Sequence, residues 1–151
     1  MNRPLLLLAA GALLALGSCA TLQSSRDQRR VQGIAQLVNS GRAEELTAMS
    51  SVPFLLDQEI LVLPRDVAFF WKSVLAAGYR LEEPKLERGG PVGPDSYRQF
   101  RDSMEVRTFF KKYLRKGTRL LELGTGDGRR VLLLVRTTAF SRAISGFKGP
   151  F

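Results

Sequence analysis

The chain has 151 residues, with 23 Lys+Arg against 14 Asp+Glu, one cysteine and no histidine. A length in the ~100–200 residue range of single folded units argues for one domain, and a composition 44% hydrophobic and 25% charged supports a core. Without histidine there is no Ser-His-Asp, Cys-His or histidine-ligated metal site, and a lone cysteine closes neither an internal disulfide nor a cysteine zinc cluster.

The N-terminus reads Met1-Asn2-Arg3-Pro4, followed over residues 5–16 by an uncharged apolar run and then by Gly17-Ser18-Cys19-Ala20. One positive charge, a short apolar run and small residues at its end are the three parts of a secretory signal. The run is shorter than the ~20 apolar residues a membrane-spanning helix needs. Leu16-Gly17-Ser18-Cys19 resembles the lipobox of bacterial lipoproteins: an aliphatic residue, two small residues and the cysteine. The resemblance implies that the Cys19 thiol carries a diacylglyceryl group, that the chain is cut before it, and that the new amino terminus is acylated. Ala20, in the place where aspartate favours inner-membrane retention, implies outer-membrane sorting with the domain facing the periplasm. The expected organisation is a signal peptide over residues 1–18, a lipidated polar tether over 19–27 and one α+β domain over 28–151.

Helix signals begin at Ser24-Ser25, either of which can cap a first turn. Val31, Ile34, Ala35 and Val38 then fall on one helical face, and Gly41 can close the helix. Residues 43–49 predict a second short helix with Leu46 and Met49 inward, ended by Pro53. Residues 54–63 predict two short strands about a tight turn at Asp57. Pro64 suits the first turn of a third helix, with an inward stripe of Val67, Phe70, Trp71 and Val74 and a stop at Gly78. Residues 82–96 contain three prolines and three glycines and predict a loop. A fourth helix is expected from Asp95 or Ser96 to Lys116, with Phe100, Met104, Val106, Phe109, Phe110 and Tyr113 inward and Gly117 beyond its end. Residues 118–123, 129–138 and 140–147 predict strands. Val131 to Val135 is continuously aliphatic, which suits a central strand covered on both faces.

Glu122-Leu123-Gly124-Thr125-Gly126-Asp127-Gly128 is similar to the glycine loop with which class I methyltransferases hold S-adenosylmethionine. A strand pattern follows it, where that site requires a helix, and only 23 residues (151 − 128) remain. A hairpin connection explains the same residues, since glycine accepts positive φ. No cofactor and no metal are expected.

Helices first and a meander of strands last define an α+β domain, with N-terminal helices packed on a C-terminal antiparallel curved sheet. The order of elements over about residues 28–147 resembles the NTF2-like, or cystatin-like, roll. That resemblance implies an apolar cavity between sheet and helices that binds a small ligand. In the enzymes of that superfamily, isomerases and dehydratases, it implies a carboxylate base and a tyrosine donor. The candidate acids are Asp57, Glu59 and Glu122 and the candidate donors are Tyr79, Tyr97 and Tyr113; none carries a family motif, so no catalytic residue is transferred. The absence of histidine favours binding over catalysis.

Charge is concentrated late in the chain: residues 98–151 hold 13 Lys+Arg and 4 Asp+Glu, whereas residues 19–97 hold 9 and 10. Export argues against nucleic acid as the partner. The alternative is an anionic envelope surface met by Lys111, Lys112, Arg115, Lys116, Arg119, Arg129 and Arg130. Expected partners are a lipid bilayer through acyl chains on Cys19 and a small apolar ligand or an envelope protein; the sequence leaves the oligomeric state open, a homodimer included.

Overall fold

A computed structural model describes residues 7–137 and 142–151, with side chains from Thr21 onward. The order is α1 (Leu7–Asn39), α2 (Ala43–Met49), β1 (Ser50–Leu56), β2 (Glu59–Leu61), α3 (Pro64–Ala76), β3 (Lys85–Pro91), a 3-10 turn (Ser96–Gln99), α4 (Met104–Lys112), β4 (Thr118–Gly124), β5 (Arg130–Thr137) and β6 (Arg142–Lys148). The strands form one six-stranded sheet in the order β2-β1-β6-β5-β4-β3. The fold is α+β, as the sequence predicts. The sheet is mixed rather than wholly antiparallel, because β1 lies parallel to β6 while the other four neighbours pair antiparallel.

The aliphatic run of β5 explains the layering. Val131, Leu133 and Val135 face one core with Val31, Ile34 and Val38 of α1, Leu46 of α2 and Val67 and Trp71 of α3. Leu132 and Leu134, between them in sequence, face a second core with Tyr97, Phe100, Val106 and Phe109. Alternation along a strand sends successive side chains to opposite faces, so a strand apolar at every position needs a layer on each side. In the first core Phe54, Phe70, Trp71, Tyr79 and Phe147 pack with ring centroids 4.7–6.3 Å apart. These rings belong to the packed layer between the sheet and the helices α1 to α3.

Four elements differ from expectation. The first helix does not start at Ser24-Ser25: α1 runs through them, and the Ser25 hydroxyl donates back to the Thr21 carbonyl at 3.0 Å. Residues 21–27, read as a tether, are thus helical, and Asp27 is packed. Pro53 lies inside β1 instead of ending α2, since Ser50 already turns the chain into strand. Within the expected loop 82–96, β3 pairs with β4 over Lys85–Pro91. It is a sheet edge, where proline and glycine are tolerated because one side of the backbone makes no ladder bonds. The long fourth helix is two pieces: Ser103 caps α4 by accepting from the Val106 amide at 3.3 Å. The break turns Met104 and Tyr113 outward, with Phe100, Val106 and Phe109 left to fill the second core.

The glycine loop is a hairpin between β4 and β5, closed by the Thr125 amide donating to the Arg129 carbonyl at 2.9 Å, with Gly128 at φ +81°. The Thr125 hydroxyl donates to Asp127, and this bond holds the Asp127 carboxyl below its ordinary range. No helix among the described residues is long and apolar enough to cross a membrane.

Candidate functional site

The residue that ties α1 to the sheet is Asp27, whose side chain is only 1% exposed. A carboxylate taken out of water must be paired and hydrogen-bonded. Arg119 of β4 donates to it from Nε at 2.9 Å and Nη2 lies 2.7 Å away, while Arg30 donates from α1 at 2.8 Å. Gln23 adds a fourth donor at 3.3 Å. Gly89 of β3 sits against this group; a Cβ there would lie 3.0 Å from Asp27 Oδ2 and 3.2 Å from Leu121.

The same contacts fix the direction of α1. The Asn39 side chain donates to the Leu81 carbonyl, Gln28 accepts from the Leu86 amide, and Asp27 meets Gly89 and Arg119. From its C-terminal end backwards, α1 therefore follows the chain from residue 81 toward Pro91, and Pro91 pairs with Arg119 at one end of the sheet. That end also holds the pairs Thr118 with Arg136 and Thr137 with Arg142. The residues of α1 that lead back to Cys19 point to this end. The Cys19 side chain itself lies outside the described side chains.

The seven cations expected to form one surface do not meet. Lys111 and Lys112 end α4, and Arg115 and Lys116 lead into Thr118; all four are exposed. Arg119 is spent on Asp27. Arg129 and Arg130 lie at the opposite end of β4–β5, about 20 Å away along seven residues of strand. There Arg129 pairs with Asp127 at 2.5 Å and Arg130 with Glu122 at 3.0 Å.

In their place the structure assembles four arginines that charge counting passes over. Arg26, Arg29 and Arg30 of α1, with Thr137 and Arg142 from the β5–β6 ends, line an open cleft of about 430 Å³. Spacing i, i+3, i+4 puts the three α1 side chains on one helical face. That spacing is legible in the sequence, but the expected boundary after residue 27 separates Arg26 from Arg29 and Arg30.

The candidate acids and donors of an isomerase do not assemble into one site, although Asp57 and Tyr79 both lie against Phe147 and the Asp57 charge acts on the Tyr79 hydroxyl. Glu122 is engaged by Arg130 and faces Arg88 at 3.8 Å. Asp57, at φ 51°, forms the β1–β2 turn and accepts from the Gly149 amide at 3.0 Å. Glu59 is exposed on β2. Tyr97 belongs to the second core, and its hydroxyl accepts from Arg107 at 2.5 Å and Arg98 at 3.3 Å. Tyr113 is half exposed. Tyr79 belongs to the first core; burial pushes its pKa up to about 12, with Arg129 opposing and Asp127 and Asp57 adding to the shift.

No family model matches the sequence, and no curated protein matches it. Among solved structures, the chain is similar to a DUF4783 family protein from Bacteroides ovatus ATCC 8483, at 11% identity over 77% of this chain and 89% of that one, with a TM-score of 0.43. A DUF4783 family protein from Bacteroides fragilis YCH46 is similar at 10% identity over 77% and 92%, with a TM-score of 0.42.

Proposed function

We propose that this protein is a lipid-anchored bacterial envelope protein that acts by binding and not by catalysis, with its basic sheet end held toward an anionic membrane surface. One observation carries the reading: the end of the domain toward which α1 leads back to Cys19 is also the end that gathers Arg26, Arg29, Arg30, Arg115, Lys116, Arg136 and Arg142. Cleavage before Cys19 would leave α1 as a rigid lead from the acylated residue into the domain. From Cys19 to Arg26 is seven residues (26 − 19) of one helix, about 10 Å along its axis. That is close to the ~8 Å Debye length at physiological salt, so these arginines would feel the charge of the headgroups. Acyl chains supply about 0.8 kcal/mol per buried CH₂, and two or three chains with a basic patch make a stable attachment. The expected location is the outer membrane, facing the periplasm.

Expression in a bacterial host with radiolabelled palmitate tests the anchor. The wild-type chain should incorporate label and run at the cleaved size, whereas Cys19→Ala should incorporate none and accumulate as precursor. Equal labelling of the two overturns the reading.

A further inference from the structure

We infer that the cleft lined by Arg26, Arg29, Arg30, Thr137 and Arg142 is a binding site for a phosphate group, either free or in a lipid headgroup. The charge arithmetic at the cleft leads to this assignment. The adjoining buried carboxylate, Asp27, is shared between Arg30 and Arg119. Arg26 and Arg142 have no acidic partner among the described residues, and Arg29 donates only to the Ser25 carbonyl of its own helix. Glu45, on the neighbouring wall, is engaged by Arg42. Three unpaired guanidinium groups and a fourth half-neutralised one thus converge on a cavity of about 430 Å³. Like charges so placed repel one another, and an anion between them reverses the sign of that energy.

Guanidinium chemistry selects the class of anion. Each group offers planar forked N–H donors, and a phosphate presents enough acceptor oxygens to engage forks arriving from several directions. A carboxylate presents its two oxygens in one plane, whereas a tetrahedral phosphate presents acceptors toward forks on several sides. The donors come from two separate elements, with α1 on one side and the β5–β6 ends on the other. A group seated between them would bridge helix to sheet beside the Asp27 tie. Thr137 lines the cleft beside the arginines, and its hydroxyl oxygen is buried without a hydrogen-bond partner among the described residues. The assignment stands whether or not Cys19 is acylated.

The test uses the full chain, wild type and Cys19→Ala, in nonionic detergent at low salt, titrated with inorganic phosphate by calorimetry. Binding should be retained in Cys19→Ala and weakened at least tenfold in Arg26→Gln/Arg142→Gln, while Lys111→Gln/Lys112→Gln binds as wild type. In case the double variant misfolds, phenylglyoxal modification of the wild-type chain gives an independent reading. Phosphate should protect Arg26, Arg29 and Arg142 and leave exposed Arg65 and Arg80 reactive. Vesicles of phosphatidylglycerol, compared with phosphatidylcholine, separate the sources: competition with phosphate identifies a headgroup site, and its absence identifies a free phosphate. Unchanged affinity in a folded Arg26→Gln/Arg142→Gln variant, or no protection of the three arginines, overturns the assignment. Failure of the palmitate experiment alone would leave this result intact.

Discussion

At the scale of single residues, the molecule treats two buried polar groups in opposite ways. Asp27 is surrounded by donors, whereas the Tyr79 hydroxyl has no hydrogen-bond partner among the described residues. Desolvation raises the Tyr79 pKa to about 12, against ~10 for an unfolded tyrosine. The folded chain thus favours the protonated phenol. Its contribution is fully present below about pH 10 and is lost as pH rises from about 10 toward 12, because the unfolded state ionises first. Tyr79→Phe should remove this alkaline loss and, at neutral pH, leave stability equal or higher by about 1 kcal/mol, since an unpaired buried hydroxyl is deleted without opening a cavity. Urea unfolding at pH 7 and pH 11 checks both halves; a variant weaker than wild type at both pH values would refute the account. Neither residue's role was legible in sequence. Asp27 sits among charged neighbours that resemble a solvated segment, and its partner Arg119 is 92 residues away. Tyr79 follows a helix stop and carries no local mark of burial.

At the scale of elements, legibility followed how much of an element's logic is local. The α3 boundary pair Pro64 and Gly78, the α2 limits and the three C-terminal strands were readable because turn chemistry and apolar periodicity coincide there. The edge strand β3 was hidden, because its pairing is dictated by β4 and its own residues, Lys-Leu-Glu-Arg-Gly-Gly-Pro, have neither period nor propensity for strand. The parallel joint of β1 to β6 was equally invisible, since it joins segments nearly a hundred residues apart. Gly146 is what lets that joint close: a Cβ there would lie 2.9 Å from Leu134 Cδ1 and 3.0 Å from the Leu55 carbonyl oxygen. The side chain can swing away but the backbone oxygen cannot, so Gly146→Ala should force β1 off β6 and lower stability by about 1–3 kcal/mol. In Gly33→Ala the added methyl meets open space on helix α1, and that variant should gain up to about 1 kcal/mol. Denaturant midpoints of the two variants would reveal the contrast, and similar shifts in both would contradict it.

At the scale of the whole molecule, the net charge of +9 conceals its own arrangement. Summing over residues 19–97 averages Arg26, Arg29 and Arg30 against acids far away in the fold, so the half of the chain that looked neutral supplies three of the four cleft arginines. Conversely, Arg129 and Arg130 looked available and are paired at the other end of the sheet. Folding therefore makes a mildly basic composition polar along one axis, with unpaired cations at the end where α1 leads back to Cys19. On the anchored reading, acyl burial and electrostatic attraction act together and respond differently to salt. Charge attraction is screened within about 3 Å at 1 M salt, whereas acyl burial is not. Washing membranes with 1 M sodium chloride should leave the wild-type chain in the pellet. Arg26→Gln/Arg142→Gln should pellet equally well, because the anchor alone suffices. The folded domain cut free after Cys19 by limited proteolysis should bind phosphatidylglycerol vesicles at low salt and leave them at 1 M. Release of the intact wild-type chain by salt would show that attraction alone holds it, and the acyl anchor would then have to be given up.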